Sequence, residues 1–224
     1  MKTTTGKKIR ALTVTAIMSA LGYILMLLEF PLPIIPSFIK LDFSEIPAII
    51  TSFALGPLYG VAVCLFKNLL HLFNTSSAGV GELSNFILGA VFVSIAGIIY
   101  KRKKTFGRAV LGVISGAVAM SIFSVISNYF FVYPFYVKFY GMPYEAIVGA
   151  YSAILPAANT LLKALIIFNV PFTFIKGMID AAVCFACYVL LLRLKVQQIS
   201  SRKKPVMTYW ARIPLLLLSP HFLP

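Results

Sequence analysis

Two ionisable residues one helical turn apart, Lys176 and Asp180, interrupt an apolar stretch, FNVPFTFIKGMID at 168–180, that leads into AAVCFACYVLLL. Charge persists in such a setting where it is paired or where something binds. Lys176 either snorkels toward headgroups with Asp180 as its i+4 partner, or addresses a ligand. Lys67 and His71 form a second pair one turn apart, read as a polar stripe facing neighbouring helices, with a proton or metal site as the alternative. CFAC, with Cys184 and Cys187, has redox spacing, but no His or charged activator lies beside it, so both are read as packing thiols. The sequence has no GxxxxGK[ST], no HExxH and no nucleophile with its base. What remains is recognition chemistry. No enzyme, resident metal or cofactor is expected.

These residues sit in a chain built for lipid. Of 224 residues, 60% are hydrophobic and 12% charged, against about 45–50% and about 25% in soluble domains. The net charge of +14 does not make a nucleic-acid face, because the basic residues cluster between apolar runs: Lys2 to Arg10, KRKK at 101–104 with Arg108, then Arg193, Lys195 and RKK at 202–204. That is the positive-inside pattern of a polytopic membrane protein. Met1–Leu28 reads as an uncleaved first helix rather than a signal peptide, since bulky EFPLPIIP follows it.

The elements follow from this constraint. Ala11–Leu28 is the first helix, and 29–45, with three prolines, is an external loop. The apolar stretch from Ile46 to Phe73 is long for one crossing. A break at Gly56-Pro57 divides it into Ile46–Leu55 and Leu58–Phe73. Leu83–Tyr100, Ala109–Phe131 and Pro171–Leu192 complete six transmembrane helices. With that topology 15 of the 20 Lys and Arg are cytoplasmic, as are both termini, and all six acids fall in external loops or outer helix ends. Residues 132–169 read as an external loop with one or two interfacial helices; the alternative makes Ala157–Phe168 part of a seventh crossing. The expected fold is all-α: a six-helix membrane domain over 1–200 with external loops covering a ligand pocket. Residues 201–224, which include Trp210, read as a cytoplasmic tail, either an appended extension or a surface anchor.

Polar residues gather at the external end: Lys40, Asp42, Ser44 and Glu45, then Glu82 and Asn85, Asn128, and Thr173 and Lys176. Phe38, Phe43, Phe86, Tyr129, Phe130 and Phe172 surround them. Amide and ammonium groups among aromatic rings suit a flat, amphipathic ligand. The rival roles are local: Asp42 and Ser44 capping the second helix, Asn128 bonding between helices.

The ordered stretches FPLPIIPSFIKLDFSEIPAII, FALGPLYGVAVCLFKNLLH, TSSAGVGELSNFILG, SNYF at 127–130 and NVPFTFIKG resemble the riboflavin-binding substrate-capture (S) components of energy-coupling factor (ECF) vitamin transporters, over roughly Lys8–Lys195. The resemblance implies a bacterial plasma-membrane protein that binds riboflavin beneath external loops. It also implies docking onto a transmembrane coupling subunit with two ATPases. Asn128 and Lys176 then look like polar ligands of the flavin, LDFSE around Asp42 like part of a lid, and Asp42, Phe43, Asn85, Asn128, Thr173 and Lys176 make the expected binding set. The small residues Ala16 and Ala20 look like part of the docking face. One departure stands out: many relatives have Asn where this chain has Thr173, which offers a hydroxyl but no amide. The rivals are an S component for a different vitamin and a stand-alone secondary transporter.

Overall fold

The computed structural model describes residues 4–139, 141 and 143–202, with side chains over 5–139, 141 and 143–187. The expectations for the tail, including Trp210, lie outside these residues. Two compact units are present, 1–184 and 185–224. Within the described part, the second is the C-terminal portion of the last helix.

Helix α1 spans Thr4–Leu27. Its buried seam is Ala11, Thr15, Ser19, Gly22 and Met26. Thr15 and Ser19 return their hydroxyls to the carbonyls of Ala11 and Thr15, both at 2.8 Å. That satisfies the hydroxyls without water and leaves a smooth helical face. Ala16 and Ala20 lie off this seam and are exposed, so they do not serve internal packing.

The chain is not wholly helical. After α1 a strap, residues 28–44, folds on a two-residue antiparallel pair, β1 (Phe30–Pro31) and β2 (Lys40–Leu41), with Phe30 opposite Leu41. Helices α2 (Glu45–Leu55) and α3 (Pro57–His71) follow. The Gly56-Pro57 break is present: Gly56 takes φ +117°, and Pro57 opens α3 where no N–H is required.

A short 3₁₀ turn (Leu72–Asn74) leads to α4 (Val80–Arg102), and α5 (Phe106–Ser127) returns. A Cβ on Gly112 would lie 2.7 Å from the Ala96 carbonyl oxygen, and one on Gly116 2.8 Å from that of Phe92. This GxxxG spacing lets the backbones touch, which is how helices gain dispersion energy where lipid offers no hydrophobic driving force.

The 132–169 segment departs from the expected loop. Asn128–Val132 forms a π turn and Tyr133–Phe139 continues as α6, so Phe106–Phe139 is one apolar helical run. Helix α7 is Tyr144–Ser152. Helix α8 (Leu161–Ala164) passes through a second π turn, Leu165–Asn169, into α9 (Val170–Arg202). Leu161–Cys187 is thus one helical run long and apolar enough to cross a membrane, and Ala157–Phe168 is not a helix of its own. Proline normally breaks a helix because its ring meets the carbonyl four residues back. For Pro134 and Pro171 those carbonyls belong to Phe130 and Ile167, and both lie inside π turns. The widened turns absorb the prolines and the helices continue.

Among the described residues four runs are long and apolar enough to cross a membrane: Thr5–Leu27, Val80–Arg102, Phe106–Phe139 and Leu161–Cys187.

Candidate functional site

Lys67, Glu45, Asp42 and Lys176 form one buried network where the strap, α2, α3, α4 and α9 meet. Lys67 is fully buried on α3. It bonds the Glu45 carboxylate at 2.6 Å and the Ser44 hydroxyl. Glu45 accepts also from the Cys64 thiol, and its carboxylate lies against Gly89, where a Cβ would come within 2.5 Å of it. Ser44 passes the network on to Asp42, donating through its backbone N–H at 2.8 Å and its hydroxyl. The Asp42–Ser44 contact closes the start of α2 as a local turn, and neither side chain caps the helix in the expected way.

Asp42 then accepts from Lys176 on α9 at 2.7 Å and from the Asn85 amide on α4 at 3.3 Å. Burial alone would raise the Asp42 carboxyl. The Lys176 and Lys67 ammonium groups, with hydrogen bonds from Lys176 and Ser44, outweigh it and hold the group well below the usual carboxylate range.

Lys176 is therefore paired across the fold and not with Asp180. Asp180 is buried, and neither of its carboxylate oxygens has a hydrogen-bond partner among the described residues. His71 pairs with Glu82 at 2.9 Å, separately from Lys67. No metal-binding cluster of His, Cys, Asp or Glu occurs among the described residues.

A cavity of about 140 Å³ opens beside this network. Phe38, Ile39 and Lys40 reach it from the strap, and Asn85 and Leu88 from α4. Met120 comes from α5, Asn128 and Asn169 from the two π turns, and Phe172, Thr173 and Lys176 from α9. Of the six residues expected to bind, four line it: Asn85, Asn128, Thr173 and Lys176. Asp42 lies behind the wall as counter-ion to Lys176. Phe43 is half-buried and not on the wall.

The Asn128 amide and the Thr173 hydroxyl are buried side-chain groups on the cavity wall. The Asn85 carbonyl oxygen is buried without a donor. Unpaired polar atoms in an apolar setting are costly unless a ligand or water completes them.

Sequence reasoning did not foresee Asn169, Tyr133 or Tyr151. Tyr151, from α7, donates to the Asn169 carbonyl oxygen at 2.7 Å and hydrogen-bonds the Tyr133 hydroxyl, while the Asn169 amide reaches Tyr133 at 3.5 Å. Burial pushes the Tyr151 phenol far above its ordinary range, so it remains a neutral donor. Phe38 of the strap sits among Tyr133, Tyr136 and Tyr151, with ring centroids 5.8–6.2 Å away. The sequence signal was Asn169 itself, an amide inside an apolar run two residues before Pro171. Asn169 also places an amide on the wall one turn before Thr173, though both ends of it already contact tyrosines.

These features define a helical membrane protein with a small, partly polar cavity beside a buried charge network. Residues 10–188 match the family described as ECF transporter, substrate-specific component, and the chain belongs to that family. It is a transport component and not an enzyme. The riboflavin transporter FmnP of Bacillus subtilis is 32% identical over 188 residues, 82% of this chain and 93% of that protein. The riboflavin transporter RibU of Staphylococcus aureus is 32% identical over 179 residues, 80% and 88% of the two chains. A structure solved under the description "Structure and mechanism of the S component of a bacterial ECF transporter" superimposes with TM-score 0.66 at 30% identity, over 84% of this chain and 98% of that one.

Proposed function

We propose that the chain captures riboflavin from outside the bacterial cell and delivers it through an ECF module, a transmembrane coupling subunit with two ATPases. The observation that carries this reading is the convergence of Asn85, Asn128, Thr173 and Lys176 on one cavity wall, where the Asn85 carbonyl oxygen is buried without a donor. A flavin offers ring carbonyls and an imide N–H to an amide and an ammonium, and hydroxyls to the remaining acceptors. Phe38, Phe172 and Met120 supply the apolar contact for a flat ring. Relatives named as riboflavin transporters align over most of their length.

In this reading α1, α2, α3, α4, the α5–α6 run and the α8–α9 run are six crossings, with basic ends and both termini cytoplasmic. Helices α2 and α3 have 11 and 15 residues, fewer than the about 20 a full crossing takes, so they rely on neighbours to cover their ends. The strap is the external lid. The cavity volume of about 140 Å³ is below the about 300 Å³ at which pockets for drug-sized ligands begin, so the lid shifts to admit the vitamin. Ala16 and Ala20 form part of the surface for the coupling subunit.

The test is binding by purified, monodisperse protein, read as saturable quenching of riboflavin fluorescence; folded protein that shows none sinks the proposal. Uptake by vesicles separates the transport modes. Capture without translocation is expected until the coupling subunits and ATP are supplied.

A further inference from the structure

Asp180 is a buried acid that the site as described does not use. It is 1% exposed, lies one helical turn from Lys176, and leaves both carboxylate oxygens without a hydrogen-bond partner among the described residues. The charged groups near enough to act on it are Lys176 on its own helix, Asp42 on the strap, Glu45 on α2 and Lys67 on α3. Lys67 is held by Glu45, and Lys176 by Asp42. Asp180 is thus the third acid in a cluster with two lysines.

The consequence concerns motion. Phe38, Ile39 and Lys40 of the strap line the cavity, and Asp42 ties the root of the strap to α9. Displacing the strap pulls Asp42 from Lys176, and a buried ammonium left alone is strongly unfavourable. The i+4 spacing puts Asp180 within reach of the flexible Lys176 stem.

We propose that Asp180 is a positioning residue for ligand exchange: it is the reserve counter-ion that takes Lys176 when Asp42 moves away with the strap. The proposal rests on the riboflavin reading only for the identity of the cargo, because the Lys176–Asp42 pair and the buried Asp180 belong to the ligand-free chain. Lys176 thereby has two partners, Asp42 in the closed arrangement and Asp180 in the open one. The exchange keeps the cation paired throughout.

Hydrogen exchange of the strap amides, 30–41, in the ligand-free full chain tests this directly. Asp180→Asn retains shape and removes the charge. It is expected to slow strap exchange at least about tenfold, leave α4 and α5 unchanged, and be rescued by Asp180→Glu. Asp42→Asn is expected to accelerate strap exchange, with Asp180→Asn then having a much smaller effect in that background. Should Asp180→Asn not fold, Asp180→Ser, which also removes the charge, takes its place in the same comparisons. Unchanged strap exchange in either variant, or equal slowing everywhere, overturns the proposal. Added riboflavin protecting the wild-type strap addresses the cargo separately: failure of that protection counts against the functional reading and not against the counter-ion exchange.

Discussion

The Lys176 ammonium donates to the Asp42 carboxylate at 2.7 Å, across 134 positions of sequence. Through that bond the root of the strap is fixed to α9 beside the cavity. Removing the cation leaves Asp42 buried without its nearest partner, a loss of about 3–5 kcal/mol. Lys176→Ala is expected to loosen the strap, lower the thermal midpoint and weaken riboflavin binding at least about a hundredfold. Binding within a few-fold of wild type would show that Lys176 serves neither purpose.

Asn128 behaves differently. It is buried on the cavity wall and outside the charge network, so Asn128→Ala breaks none of the ion pairs of the ligand-free protein. Its thermal midpoint should stay near wild type while affinity falls by about 1–3 kcal/mol. A large loss of stability with affinity retained would make Asn128 a structural residue.

The Tyr133, Tyr151 and Asn169 triangle ties α7 to the start of α6 and to the second π turn. Tyr151→Phe leaves the Asn169 carbonyl oxygen without its donor, at a cost of about 1–2 kcal/mol. The expected result is a lower unfolding midpoint and a modest loss of affinity, because Asn169 then drifts on the cavity wall. An unchanged midpoint would remove the triangle from the account.

Ala16 and Ala20 are exposed on α1, and their proposed place in the docking surface predicts that a substitution there separates capture from uptake. Ala16→Leu is expected to leave riboflavin binding intact while abolishing ATP-driven uptake by the assembled complex. Full uptake would place the docking surface elsewhere.

The acid dependence follows from Asp42. Its carboxyl lies lower in the fold than the ordinary value of 3.8. A depressed group stabilises fully above its unfolded value and loses that contribution as pH falls toward the folded one. The stability gap between wild type and Asp42→Asn should therefore stay constant from about pH 5 to 8 and narrow below about pH 4. A gap that closes between pH 5 and 7 would mean that Asp42 is not held by its two lysines.

Particular residues explain what the sequence disclosed and what it concealed. Gly56-Pro57 was legible because both residues act locally: positive φ, and a missing N–H at the start of a helix. Pro134 and Pro171 were misleading for the same reason. Each forbids a regular α-turn, but a widened turn satisfies the same restriction without ending the helix. Asp180 was assigned to Lys176 because i+4 neighbours are visible in sequence, whereas Asp42, 134 residues away, becomes a neighbour only through the packing of the strap. The polar residues converged as expected at Asn85, Asn128, Thr173 and Lys176 around one cavity. Asn169 and Tyr151 escaped because their roles depend on helices running through the prolines.

The most direct test of the central claim is titration of the purified chain with riboflavin beside a panel of other vitamins, read by flavin fluorescence and by protection of the strap. Saturable, tight binding of riboflavin alone is expected, at a single site that Asn128→Ala weakens. Saturable binding of another vitamin, with none of riboflavin to the same folded protein, would contradict it.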